Sequence, residues 1–172
     1  MKYESKQNRM SWLPEWQKQI IRTYPGLYTE PSAEMLKYYE RYPEGRPAPD
    51  DFTNLRFGFE CGPGWAGLLK ELSQTAMSLV GVLRSFGFQC DAAISPIIVK
   101  EKYGTLRWQG ADNLLPPFRR LWWSYTSDIE QRSSSICEVS GEFGVLRDVG
   151  RGWVRTLCEE EFKKELERQK KG

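Results

Sequence analysis

The feature that most constrains this chain is the stretch from Gly64 to Phe88, where Trp65, Leu68, Leu69, Leu72, Ala76, Leu79, Val80 and Leu83 recur every three or four residues. Side chains so spaced fall on one face of an α-helix. An apolar stripe about five turns long is not stable against water, so the spacing predicts a central helix buried by the rest of the fold. Pro63 suits its first turn, where a missing N–H costs no hydrogen bond, and Gly87 suits its C-terminal cap.

The segments around that helix alternate in type. Ser11 is placed to cap a helix striped by Trp12, Trp16, Ile20 and Tyr24, with Leu13 and Ile21 beside them, and Pro25-Gly26 stops it. Ala33 to Tyr42 reads as a second helix, followed by the Pro-rich, charged connector RYPEGRPAPDD. Pro96 to Gln109 reads as two short strands around a Tyr103-Gly104 turn, a β-hairpin. Pro116 and Pro117 open a helix through Phe118, Leu121, Trp122, Tyr125 and Ile129 that ends near Ser133 to Ser135. In the last section, ICEVSGEFGVLRDVGRGWVRTLC alternates short extended pieces with glycine turns before a charged helix from Glu159 to Lys171. The prediction is one α+β domain over residues 1–172. Its core, residues 51–172, has the long helix packed on small antiparallel hairpins, with flanking N- and C-terminal helices and a helical segment over residues 1–50.

At 172 residues, 40% of them apolar, the chain can bury a core without disulfide or metal staples. It contains no histidine, which removes the commonest general base, the usual partner of Ser and Cys nucleophiles, and the most frequent metal ligand. Glu60, Glu101, Asp112 and Glu138 stand on different elements, and nothing in their spacing brings two of them together for acid/base work. Cys61, ahead of Gly-Pro-Gly, has no imidazole to activate it and reads as a structural thiol. The chain is therefore expected to be no enzyme, to use no cofactor and to take no small-molecule substrate.

A net charge of +2 and a pI near 8.3, with no basic half, argue against a protein that lives on phosphate contacts. The first thirty residues are too polar for a secretion signal, and the richest apolar run, Ala76 to Leu83, is too short to span a bilayer. Four cysteines in such a chain read as reduced thiols in the cytoplasm, with no membrane partner.

Cys137-Glu-Val-Ser140 and Cys158-Glu-Glu-Glu161 have the spacing of a zinc ribbon or treble-clef knuckle, in which paired Cys-x-x-Cys motifs hold a metal tetrahedrally. Ser140 and Glu161 stand where two of the four thiolates belong, so the reading is a degenerate ribbon without bound metal. Two surface sets are candidates for partner binding. Lys100, Lys102 and Arg107, with Tyr103 at the turn, offer a cationic hairpin edge; Arg119, Arg120 and Trp123 offer an aromatic and arginine patch of the kind that dominates interfaces. Adjacent residues on a helix point about 100° apart, so one of Trp122 and Trp123 must face outward.

The blocks Glu60-Cys-Gly-Pro-Gly-Trp65, Val99-Lys-Glu-Lys-Tyr-Gly-Thr-Leu-Arg107, Ile136-Cys-Glu138 and Gly152-Trp-Val-Arg-Thr-Leu-Cys158 together resemble a family of small, largely uncharacterised bacterial and prophage proteins. The resemblance covers roughly residues 58–162 and implies a ribbon with complete cysteine pairs, from which Ser140 and Glu161 depart. By analogy it implies an immunity-type protein that binds and neutralises a cognate toxin. The alternative is a prophage protein associated with nucleic acid through the degenerate ribbon.

Overall fold

The computed structural model describes residues 13–28, 58–88 and 94–171. Among them are four helices and two antiparallel hairpins, an α+β fold. Ser11, Trp12, the Ala33 to Tyr42 helix and the connector after it lie outside the described residues.

Helix α1 runs Glu15–Thr23, starting later than a cap at Ser11 would set it: Pro14 precedes it without a side-chain cap, and its carbonyl accepts the Lys18 N–H at 3.2 Å. Ile20 and Ile21 are buried, with Trp16 and Tyr24 packed beside them. A 3₁₀ turn at Pro63–Trp65 leads into α2, Ala66–Ser85. Leu68, Leu69, Leu72, Ala76, Val80 and Leu83 are buried along α2, as their spacing requires. The helix closes with the Gly87 N–H on Arg84 O at 2.9 Å and the Phe88 N–H on Leu83 O at 3.1 Å, the paired bonds of a Schellman end.

Strands β1 (Ile94–Lys102) and β2 (Thr105–Asp112) pair with Val99 opposite Trp108, Lys100 opposite Arg107 and Glu101 opposite Leu106. The register slips between Pro96 and Ile98, where proline has no N–H for the ladder. Helix α3 (Pro116–Ser133) lies along β2, while α2 packs on α1 and α3. Trp122 is 2% exposed and meets Trp108 edge to face at 5.3 Å; Trp123 is 57% exposed.

Both flanks of this hairpin are closed. On the β1 side, the Glu60 N–H bonds Val99 O at 2.8 Å and the Glu101 N–H bonds Glu60 O at 2.9 Å. Along β2, the outward N–H groups of Leu106 and Trp108 donate to Ser133 Oγ at 2.8 Å and Glu130 Oε1 at 3.0 Å. Side chains of α3 thus do what a third strand would otherwise do.

Residues of α1, α2, α3 and the first hairpin share one apolar core. A Gln17 side chain ties α1 to it like a short piece of strand, accepting the Phe59 N–H and donating to Phe59 O, both at 2.8 Å. The last third carries a smaller core of its own, built on Cys137, Val149 and Leu157. It comprises the turn at Cys137–Ser140, the hairpin of β3 (Val145–Asp148) with β4 (Val154–Leu157), and helix α4 (Glu159–Lys171). No helix among the described residues is long and apolar enough to cross a membrane.

Candidate functional site

The four sequence blocks meet at one junction. Gly62 and Gly64 let the backbone before α2 lie directly on the Cys137 turn: a Cβ at Gly64 would stand 2.1 Å from Cys137 O, and one at Gly62 2.3 Å from Glu138 O. The contact is hydrogen-bonded throughout. The Gly64 N–H donates to Glu138 O at 2.7 Å, the Gly62 N–H to Glu138 Oε1 at 3.0 Å, and Trp65 Nε1 to Ile136 O at 2.8 Å. Glu138 then reaches the last block, taking Arg155 Nε on Oε2 at 2.9 Å while its own N–H bonds Thr156 O at 2.9 Å. Thr156 Oγ1 donates to Gly104 O at 2.6 Å and so fastens the tip of the first hairpin to the second.

Beside this junction lies an open cleft of about 770 Å³, lined by Glu60, Glu101, Glu138, Arg151, Trp153, Arg155 and Glu165 among others. A shallower arm of about 300 Å³ shares Glu101, Arg151 and Trp153 with it and adds Lys102 and Tyr103. The two hairpin tips form the walls. Tyr103 and Gly104, at φ 55° and 77°, make the two-residue turn of the first hairpin, and Glu101 Oε1 braces it by accepting the Gly104 N–H at 2.6 Å. In the second turn Gly150, Arg151 and Gly152 all take positive φ, and Val149 and Trp153 are bridged by an N–H to O bond of 2.8 Å. Tyr103 is 72% and Trp153 65% exposed.

Among the described residues, Tyr103 and Arg151 are the only non-glycine residues with positive φ. That backbone is unfavourable for a residue with a Cβ. Both project from hairpin tips into the same small arm of the cleft.

Nothing in the spacing of the acidic side chains brings two of them together, but the fold does. Glu60, Glu101 and Glu138 line one cleft with Glu165, because the Glu60 bridge to β1 and the docking of Glu138 on Gly62 join elements distant in sequence. Asp112 stays apart, bonded to Arg119 Nε at 2.8 Å and Trp123 Nε1 at 2.9 Å. Glu138 is fully engaged by Gly62 and Arg155. Burial, then the charges of Glu138 and Glu101, push the Cys61 thiol up, away from the thiolate a nucleophile needs.

The candidate partner residues divide into two groups. Lys102 and Tyr103 stand at the cleft, with Lys102 Nζ 5.4 Å from the Tyr103 ring centre. Lys100 is half-buried beside them, facing Arg107 across the ladder, and Arg107 is held by Glu130 Oε2 at 3.0 Å. Arg119 and Trp123 are gathered by Asp112 at the far end of β2, about 25 Å along the strand from the turn, and Arg120 is exposed on the same helix. The two sets do not form one surface. Arg151 and Trp153, which the cleft places beside Lys102 and Tyr103, were not singled out from sequence; the signal available was an arginine between two glycines at a predicted turn.

At the knuckle, the Ser140 N–H meets Cys137 Sγ at 3.5 Å and Ser140 Oγ meets Cys158 Sγ at 3.6 Å, so three of the four ribbon positions come together. Burial alone would raise the Cys137 thiol. Hydrogen bonds from the Ser140 side chain and from the backbone N–H groups of Ser140, Cys158 and Val139 outweigh it and hold that thiol below its ordinary range. The Glu161 carboxylate turns to Lys164 Nζ at 2.7 Å instead. Among the described residues, no group of three or more cysteine or carboxylate side chains is arranged to hold a metal ion.

Comparison of the chain with protein-family models, curated proteins and solved structures gives no match.

Proposed function

We propose that this chain is a non-enzymatic, cytoplasmic protein-binding module of the immunity type, which neutralises a cognate toxin by occluding it. One observation carries the reading: Tyr103, Arg151 and Trp153 converge, largely exposed, on the two hairpin tips that wall one cleft. Tyrosine, tryptophan and arginine are the residues that dominate protein–protein binding energy, and they do so around pockets such as this one. The cleft's carboxylates support binding over catalysis, since Glu138 is occupied by the fold and Glu101 braces a turn.

The experiment is co-expression with the product of the neighbouring gene. The expected result is a complex on a sizing column, protection of the cell, and a loss of affinity of about thirtyfold or more for Trp153→Ala, the range of an interface hot spot. No complex and no protection would dispose of the reading. The alternative, a nucleic-acid-associated protein, draws on the same rings together with Lys102 and Arg151. It predicts DNA or RNA binding that weakens steeply between two salt concentrations.

A further inference from the structure

Resting on the protein-binding reading, we infer that the larger part of the cleft takes an arginine or lysine side chain from a basic segment of the partner, laid against the Trp153 indole. The surface offered is aromatic, and its charge selects the occupant. Trp153 presents a largely uncovered ring on a backbone tied to Val149 and Gly150. Such a face attracts guanidinium and ammonium groups, and the attraction grows when the cation is partly removed from water.

Around that ring, Glu60, Glu101, Glu138 and Glu165 stand against Arg151 and Arg155. The site already holds one guanidinium of its own: Arg155 lies 2.9 Å from Glu138 and 3.9 Å from Glu165. That pairing uses up Glu138 and leaves Glu60, which has no ion-pair partner among the described residues, and Glu101, whose carboxylate has one described hydrogen bond, from the Gly104 N–H. A second cation entering beside Trp153 would find these two carboxylates. Of the other cationic residues, Lys102 lines only the shallower arm by Tyr103, while Arg151 lines both parts of the cleft. A fitting segment therefore points its cation away from Lys102 and Tyr103, toward Glu60.

The test uses the full chain and three capped pentapeptides that differ only at the centre: acetyl-Gly-Gly-X-Gly-Gly-amide with X arginine, citrulline or glutamate. Citrulline keeps the shape of arginine and removes its charge. Binding is followed at the Trp153 indole N–H in ¹H–¹⁵N spectra, assigned by its loss in Trp153→Phe. The expected outcome is saturable binding of the arginine peptide, about tenfold weaker binding of the other two, and about a threefold to tenfold loss for arginine in Glu60→Gln. Equal binding of citrulline, preference for glutamate, or indifference to Glu60→Gln overturns the inference. With the cognate partner the two readings separate. A complex lost in Trp153→Ala but unchanged in Glu60→Gln keeps the protein-binding reading and sinks the cationic one, whereas weakening by both variants supports the two together.

Discussion

Arg151 pays a conformational cost that its two glycine neighbours avoid. Its φ of 56° disfavours any residue with a Cβ, and the side chain is exposed, with no hydrogen bond or ion pair among the described residues to offset the strain. Arg151→Gly should therefore stabilise the fold by about 1 kcal/mol, seen as a higher urea midpoint at unchanged slope, while weakening partner binding. A variant that gained neither stability nor lost affinity would show that the arginine is indifferent to its backbone. At this scale the sequence was only partly readable. Tyr103 and Lys102 were identified because a hairpin turn is written locally, in Tyr-Gly between two alternating runs. Glu165 and Arg155 were not, because what brings them to Glu60 and Glu101 is tertiary docking across more than fifty residues of chain, for which no local pattern exists.

The elements themselves were far more legible. The α2 stripe, the Tyr103-Gly104 hairpin, the Pro-initiated α3 and the charged α4 all follow from periodicity and turn chemistry, which act within a few residues. What periodicity could not reveal is how the flank of β2 is protected, since that depends on Ser133 and Glu130 meeting a strand more than twenty residues away. Ser133→Ala leaves the buried Leu106 N–H without an acceptor and should cost about 1–3 kcal/mol in chemical denaturation. An unchanged midpoint would mean that another group takes up the bond. The knuckle makes a different prediction. Because Ser140 already touches Cys158 and its N–H points at Cys137, Ser140→Cys would set three thiols together, and the purified variant should retain about one equivalent of zinc where the parent chain does not. Elemental analysis of the two proteins, prepared side by side, decides it.

For the molecule as a whole, two acids shielded from water, Tyr28 and Cys61, work against stability at alkaline pH. Burial raises the Tyr28 hydroxyl to about 12, against an ordinary value of 10.0, even though it is hydrogen-bonded to Ser73 at 2.8 Å. Burial and the nearby carboxylates likewise raise Cys61. In the unfolded chain both groups lose their protons at their ordinary values, so above about pH 8.5 for the thiol and pH 10 for the phenol the unfolded state binds fewer protons than the native one. Stability is then undiminished by either group at neutral pH and falls as pH rises, by about 1.4 kcal/mol per pH unit for each group past its unfolded value. Tyr28→Phe should flatten the decline between pH 10 and 12 and leave the earlier one in place. Titration of the unfolding midpoint with pH would show whether it does. The closed flanks of the first hairpin have one more consequence at this scale. With Glu60 beside Val99 and Glu101, and Ser133 and Glu130 on Leu106 and Trp108, the rungs nearest the turn are already taken on both sides of the ribbon. A chain that approached this end of the ribbon would meet two short loops before any unpaired backbone, so lengthening either loop changes what can be reached while leaving the body behind it untouched.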